Sequence, residues 1–350
     1  MNPDFKLYPQ LRFMGNKYRL LPWIEEELSA LDFHSVLDAF TGSASVSYLF
    51  KTMGRQVYSN DFLNFPSVLS RAVIENPSVT VNPDEIRMLS DFSNSSDSEA
   101  GNGNCYDFIK RTYEGIFYNP EDLEFLDLIS WRLTNLNNPY KRSLVMAALI
   151  RSCAKKQPRG VFTISGDLSR YDDGRRDLKL SLREHFTEQI EQYNNAVFDN
   201  GEMNKSFCGS VFDLQEMPVD LVYMDPPYVP RSDDNCYVKR YHFLEGLSKY
   251  WKDEEIMYNT KVRKIHKKYT PFSYRGDALE AFEGMFRKFS RSILVLSYSS
   301  NGYPDLDVLV SLMEKYKSSV EVRSRDHRYH FGTHDKVRRS KVQEYLIIGR

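Results

Sequence analysis

Apolar positions along the chain fall into two kinds of run. Residues 35–40, 56–61, 221–224 and 291–298 are short and dense in Val, Leu, Ile, Tyr and Met, with turn-forming residues beside them, the pattern of strands in a largely buried sheet. Between them the spacing changes to that of helices with one buried face, as in Leu20, Leu21, Ile24 and Leu28 within residues 11–31, and again over residues 46–53 and 305–316. Residues 35–61 thus read as strand, small-residue turn (Thr41-Gly42-Ser43-Ala44-Ser45), helix and strand, the opening unit of a nucleotide-binding α/β fold. Residues 319–329 and 342–348 read as two strands closing the sheet antiparallel, with Lys336, Arg338, Arg339 and Lys341 in the turn between them. The middle of the chain differs. Residues 93–104 are a Ser, Asn, Asp and Gly run, residues 106–118, 123–136 and 140–156 have helical spacing, and residues 160–166 suggest a short β element turning through 172–174.

Composition narrows the picture. A chain of 350 residues exceeds one ordinary domain, so a core of roughly 200 residues carrying an inserted unit is expected. The boundaries drawn from the pattern are 1–76 and 205–350 for the sheet domain and 77–204 for the mainly helical insert. A net charge of −1 excludes a globally basic protein, so any nucleic-acid surface must be local. Cys105, Cys153, Cys208 and Cys236 form no close pair, which argues for a reducing compartment and against a zinc site or disulfide frame. With no apolar signal core and no stretch approaching 18 apolar residues, the reading is a soluble cytoplasmic protein with no membrane partner and no metal.

Candidate chemistry concentrates at residues 220–229. The run Leu221, Val222, Tyr223 and Met224 stops at Asp225-Pro226-Pro227-Tyr228, because neither proline can donate a ladder hydrogen bond. The carboxylate therefore sits at a strand's C-terminal end, where ligands bind in open α/β sheets. Asp225 and the Pro226 carbonyl are acceptors only, which suits a planar amine offering two N–H donors, such as the exocyclic amine of a nucleobase with Tyr228 stacked on it. A Pro-Pro turn whose Asp merely caps a helix is the plainer alternative. Asp38 at the first strand end can receive an ammonium group, Gly42 allows close backbone approach, and Asp61 follows about 20 residues later, the spacing at which an acid meets a ribose diol. Lys17, after the Gly15-Asn16 turn, is either an anion site at a helix start or part of an ordinary capped helix.

Residues 13–17, 38–44, Asp61 and 225–228, in that order, resemble the Dam-like family of DNA adenine methyltransferases, over about residues 8–75 and 205–350. The resemblance implies a Rossmann-like methyltransferase sheet, mostly parallel with an antiparallel C-terminal strand. It implies S-adenosylmethionine as cofactor, with Phe13 and Lys17 bordering it, Asp38, Phe40 and Gly42 in the methionine-side loop, Asp61 on the ribose hydroxyls and Asp213 near the adenine. Ala44 stands where the family usually has a second glycine. The implied reaction is methyl transfer to the 6-amino group of an adenine extruded from double-stranded DNA, catalysed by Asp225, Pro226, Pro227 and Tyr228. The family role is protection of host DNA beside a cognate restriction endonuclease, or epigenetic marking. Transfer to cytosine or to RNA adenine is the runner-up, and Asp225 leans toward adenine because the cytosine enzymes usually carry Ser there. A non-catalytic DNA-binding module of the same fold is the alternative from another class.

Two basic stretches are candidate DNA surfaces. Arg159, Arg170, Arg175 and Arg176, with Phe162 and Tyr171 interleaved, suit base and phosphate contacts, or else form a solvated charged hairpin. Residues 261–268 supply Lys264, Lys267 and Lys268 in what reads as a long loop suited to phosphates. Tyr237, Tyr241 and His242 lie in a segment resembling the family's target-base pocket and are either DNA contacts or packing residues.

Overall fold

A computed structural model describes residues 2–91, 107–158, 160–166, 171–172, 174–227, 229–230, 236–268, 270–328 and 341–350. Two compact units share the chain. One comprises Lys17–Leu63, Asn200–Cys236 and Lys268–Arg350, the other Met1–Asn16, Asn64–Asp199 and Tyr237–Lys267.

The first unit is built on seven strands: β1 (Ser35–Asp38), β2 (Gln56–Asp61), β3 (Lys205–Cys208), β4 (Leu221–Met224), β5 (Ile293–Ser299), β6 (Val320–Arg328) and β7 (Lys341–Gly349). Their spatial order is β6-β7-β5-β4-β1-β2-β3. β7 pairs antiparallel with both β5 and β6, and the remaining pairings are parallel, so β7 alone runs against the rest. Six of the seven strands lie where the apolar pattern places them, β3 is an addition to it, and the mostly parallel order is the one the family resemblance implies. Every residue of β4 is buried, which is why its sequence is a continuous apolar run rather than an alternating one. Asp220 anchors the start of β4: its Oδ2 accepts from the backbone N–H groups of His34 (2.9 Å) and Ser35 (2.8 Å) and from Ser35 Oγ (2.9 Å). These donors, the Ser35 N–H foremost, hold the Asp220 carboxyl below the usual range. The helices Arg275–Lys288 and Leu306–Glu314 bury Phe282, Met285, Phe286, Leu309 and Met313 in one core with Leu37, Val222, Leu294 and Leu296. From β1 the chain winds outward through β2 and β3 on one side, and through β4 and β5 on the other. The switch point between β1 and β4 is the crevice where such sheets bind ligands.

The second unit is largely helical, and three of its helices announce themselves at Asn-Pro pairs. Asn82, Asn119 and Asn138 cap the helices Pro83–Ser90, Pro120–Thr134 and Pro139–Lys156, each with its side-chain oxygen accepting from the first turn and proline at a position that needs no donor. Leu144, Val145, Leu149 and Ile150 of the last helix are wholly buried, as are Phe186 and Ile190 of Leu182–Ala196.

Three sequence expectations are corrected in this unit. The helix expected over 106–118 forms only at Phe108–Tyr113. The loop over 261–268 contains a strand, Lys264–Ile265, paired antiparallel with Ile256–Met257. The β element expected at 160–166 is absent, because the backbone bonds it would need go elsewhere. Phe162 N donates to the Arg240 carbonyl (2.8 Å), and the Phe162 carbonyl accepts from His242 Nε2 (2.9 Å). Gly160 has φ +69°, and a Cβ there would lie 2.9 Å from Arg12 Cβ, so both the backbone and the close approach require glycine.

Candidate active site

The carboxyl edge of the sheet brings three acids onto neighbouring strands: Asp38 ends β1, Asp61 ends β2 and Asp225 follows β4. Asp38 is 1% exposed. Its Oδ2 accepts from Ser47 Oγ at 2.6 Å, and its Oδ1 has no hydrogen-bond partner among the described residues. Burial pushes the Asp38 carboxyl up to about 7, against the Ser47 hydroxyl, with the charges of Asp225 and Asp61 adding to the rise. Asp61 braces the small-residue turn, since its Oδ2 accepts from Gly42 N (2.8 Å) and its Oδ1 from Leu63 N (2.9 Å). Gly42 has φ +53° and Ala44 φ +62°. Ala44 thus adopts the left-handed conformation that explains a glycine at this place in the family, at a cost of about 1 kcal/mol.

Lys17 has a partner that its sequence reading did not name. Its Nζ lies 2.8 Å from Asp225 Oδ1, in a pair whose lysine side chain is 3% exposed and whose aspartate is 20% exposed. Burial raises the Asp225 carboxyl above its ordinary range, the Lys17 ammonium pulls it down, and Glu344 adds to the rise. Asp225 Oδ2 makes no hydrogen bond among the described residues. Pro226 is buried and Pro227 half-buried, while Tyr228 lies outside the described residues.

Phe40 packs edge-on to Phe272 (5.2 Å), on which Phe212 stacks (5.8 Å). Asp213 is exposed in the turn after β3, its N–H on the Ser210 carbonyl. That turn is tied to β2, because Gly209 N donates to the Asp61 carbonyl (2.9 Å) and Asn60 Nδ2 donates to the Gly209 carbonyl (3.1 Å).

In the helical unit, Phe13 stacks on Tyr237 (5.3 Å) and Tyr241 (4.9 Å), both from the helix Tyr237–Leu247. The same tyrosines grip the backbone beside it: Met14 N donates to Tyr241 Oη (2.7 Å) and Tyr237 Oη donates to the Met14 carbonyl (3.3 Å). Tyr241 and His242 are buried, and burial lowers His242 to about 4, so its ring is neutral and packs as a structural donor. Arg175 Nη2 donates to the Pro158 carbonyl (2.7 Å), while Arg176 is an exposed partner of Glu188. Lys264 is half-buried and Lys267 exposed; Lys268 is half-buried in the sheet unit. Arg159 and Arg170 lie outside the described residues. Sequence reasoning missed Ser47, the Tyr241 and Tyr237 bonds to Met14, and the Lys17 pairing. The last two join residues more than 200 positions apart, and no local pattern signals them. Among the described residues no group of three or more His, Cys, Asp or Glu side chains could hold a metal ion, and no helix is long and apolar enough to cross a membrane.

A mostly parallel sheet with one reversed C-terminal strand, and acids ending neighbouring strands around its switch point, defines a Rossmann-like methyltransferase fold. The family model for the D12 class of N6 adenine-specific DNA methyltransferases matches residues 13–298, and the chain belongs to that family. It is an adenine-specific DNA methyltransferase that draws its methyl group from S-adenosylmethionine. It is similar to the type II methyltransferase M2.HphI of Haemophilus parahaemolyticus, with 29% identity over 335 residues covering 92% of each chain. It is also similar to the modification methylase StsI of Streptococcus sanguinis (26% identity, 87% of this chain) and to the type II methyltransferase M.FokI of Planomicrobium okeanokoites (25% identity, 96% of this chain). The matches take in 46% and 52% of those two relatives, so the chain spans about half their length.

Proposed function

We propose that the acids at the sheet edge divide cofactor binding and base activation among them, and that this enzyme is the modification half of a restriction-modification pair acting in the cytoplasm. The observation that carries the catalytic reading is the Asp225 carboxylate, with one oxygen on buried Lys17 and the other without a partner among the described residues. Oδ2 and the Pro226 carbonyl accept the two N–H groups of the extruded adenine's amine, favouring a tetrahedral nitrogen, and Tyr228 stacks on the ring. Lys17 turns from cofactor neighbour into positioning residue for Asp225. S-adenosylmethionine, when bound, supplies the electrophilic methyl group. The buried Asp38 Oδ1 fits this cofactor, since an ammonium group satisfies an acceptor that otherwise lacks a donor. Phe40 and Gly42 line the methionine side, Asp61 holds the ribose hydroxyls, and Asp213 lies toward the adenine.

Asp38 gives this assignment a pH signature. Its carboxyl is raised to about 7 and must be ionised to take an ammonium. Below that pH, binding of the cofactor releases a proton, and affinity falls as pH falls, approaching tenfold per pH unit. Calorimetric titration of wild type and Asp38→Asn between pH 6 and 8 checks this. A cofactor affinity that does not respond to pH in the wild type refutes the role.

Target recognition falls to residues 77–204, with Arg159, Arg170, Arg175 and Arg176 reading bases and Lys264, Lys267 and Lys268 lying on phosphates. The names of the relatives, modification methylase and type II methyltransferase, support a cognate endonuclease as partner. Methylation-aware sequencing of DNA from a host expressing the enzyme tests the function and yields the motif. In the same experiment at least one of the four arginine-to-alanine variants relaxes the motif at a defined base, whereas the lysine variants lower methylation at all sites alike. Four arginine variants that keep the wild-type motif and change only its level overturn the recognition reading.

A further inference from the structure

Tyr258 is 66% exposed and opens the tip of a hairpin in the helical unit. The strands are Ile256–Met257 and Lys264–Ile265, with Met257 opposite Lys264, so residues 258–263 form the tip. The tip is closed from within. Thr260 Oγ1 donates to the Met257 carbonyl (2.8 Å) and accepts from Lys264 N (3.0 Å), and Arg263 N donates to the Thr260 carbonyl (3.1 Å). It is also tied down at its base. Val262 and Ile265 are buried, the Arg263 carbonyl accepts from Tyr113 Oη (3.1 Å), and the Arg263 guanidinium donates to the carbonyls of Arg111 and Thr112. Arg263 therefore works inward while its guanidinium lies 5.7 Å from the centroid of the Tyr258 ring, and what the tip offers to solvent is that 66% exposed ring, Asn259 and Lys261.

The chemistry of this offer matches a duplex better than a protein. Residues 256–267 hold four cations (Lys261, Arg263, Lys264 and Lys267) and no acid, and the exposed Glu255 just before them lies 3.5 Å from His266. Tyr258 is the one large hydrophobic side chain exposed on the tip, far short of the roughly 800 Å² that a partner contributes to a stable protein interface. An enzyme that extrudes a base leaves unstacked base faces, and an aromatic ring on a rigid support covers one without an ordering cost. We propose that this hairpin tip is a DNA-contacting element in which the Tyr258 ring stacks on a base while Lys261 and Lys264 lie on phosphates. This rests on the base-extrusion reading above.

The test uses the full chain, tritiated cofactor with unmethylated plasmid DNA, and fluorescence anisotropy on a short labelled duplex. Tyr258→Ala is expected to raise both KM for DNA and the duplex Kd about tenfold, within the usual worth of base stacking. Tyr258→Phe keeps the ring and should stay within about twofold of wild type. Lys261→Ala weakens binding and lowers the slope of log Kd against log salt by roughly one phosphate contact. Cofactor titration and thermal unfolding, unchanged in all three, exclude a folding defect. The proposal is overturned if Tyr258→Ala stays within twofold, if Tyr258→Phe loses as much as Tyr258→Ala, or if Tyr258→Ala changes oligomeric state with DNA affinity intact. Wild-type protein that binds the duplex but transfers no methyl would sink the catalytic reading alone, because the anisotropy comparison still judges the hairpin.

Discussion

Asp225→Ala is expected to lower methyl transfer by at least about a hundredfold while S-adenosylmethionine binding stays close to wild type. Removing a preorganised acceptor from the site where charge develops typically costs this much, and the acids assigned to the cofactor, Asp38 and Asp61, stand on other strands. The substitution also removes the carboxylate from Lys17, whose side chain is 3% exposed, a change that costs on the order of 3 kcal/mol for buried pairs. Thermal unfolding must therefore accompany the assay. Asp225→Asn provides the second variant, since its amide oxygen can still accept from Lys17 while its NH₂ group meets the target amine donor to donor. Turnover above about a tenth of wild type in either variant would end the assignment.

Lys17→Met should separate the two roles open to this lysine. If Lys17 serves Asp225, its loss removes the main influence opposing burial, and the Asp225 carboxyl rises further above its ordinary range. The acid limb of the pH–rate profile then moves to higher pH, and kcat at neutral pH falls by roughly tenfold or more. Cofactor affinity stays near wild type. A large loss of cofactor affinity with an unmoved acid limb would return Lys17 to the cofactor.

The parts of this site legible in the sequence are those written locally. An apolar run cut off by Pro226-Pro227 locates Asp225 at a strand end, and a strand, glycine turn, helix and strand locate Asp38, Gly42 and Asp61. Residue spacing suffices because strand and helix periodicities act over a few neighbours. What stayed hidden depends on contacts across the chain. Nothing near Phe162 indicates that Arg240 and His242 take its backbone bonds and leave no ladder for a hairpin. Nothing near Lys17 points to Asp225, 208 positions away. Ala44 lies between these cases: its departure from the family's glycine is visible in sequence, but its left-handed backbone appears only in the fold.

The interleaving of the two units bears on how the polypeptide is made. Six segments alternate between them, so the chain passes from one to the other five times, and neither unit is a continuous stretch. On the ribosome, the helical unit cannot close until Tyr237–Lys267 has emerged. At that point the sheet still lacks β5, β6 and β7, and its parallel core waits with strand edges unpaired. No single cut releases either unit whole, so the helical unit cannot be exchanged as one cassette. A graft would have to carry three separate segments and their junctions at once.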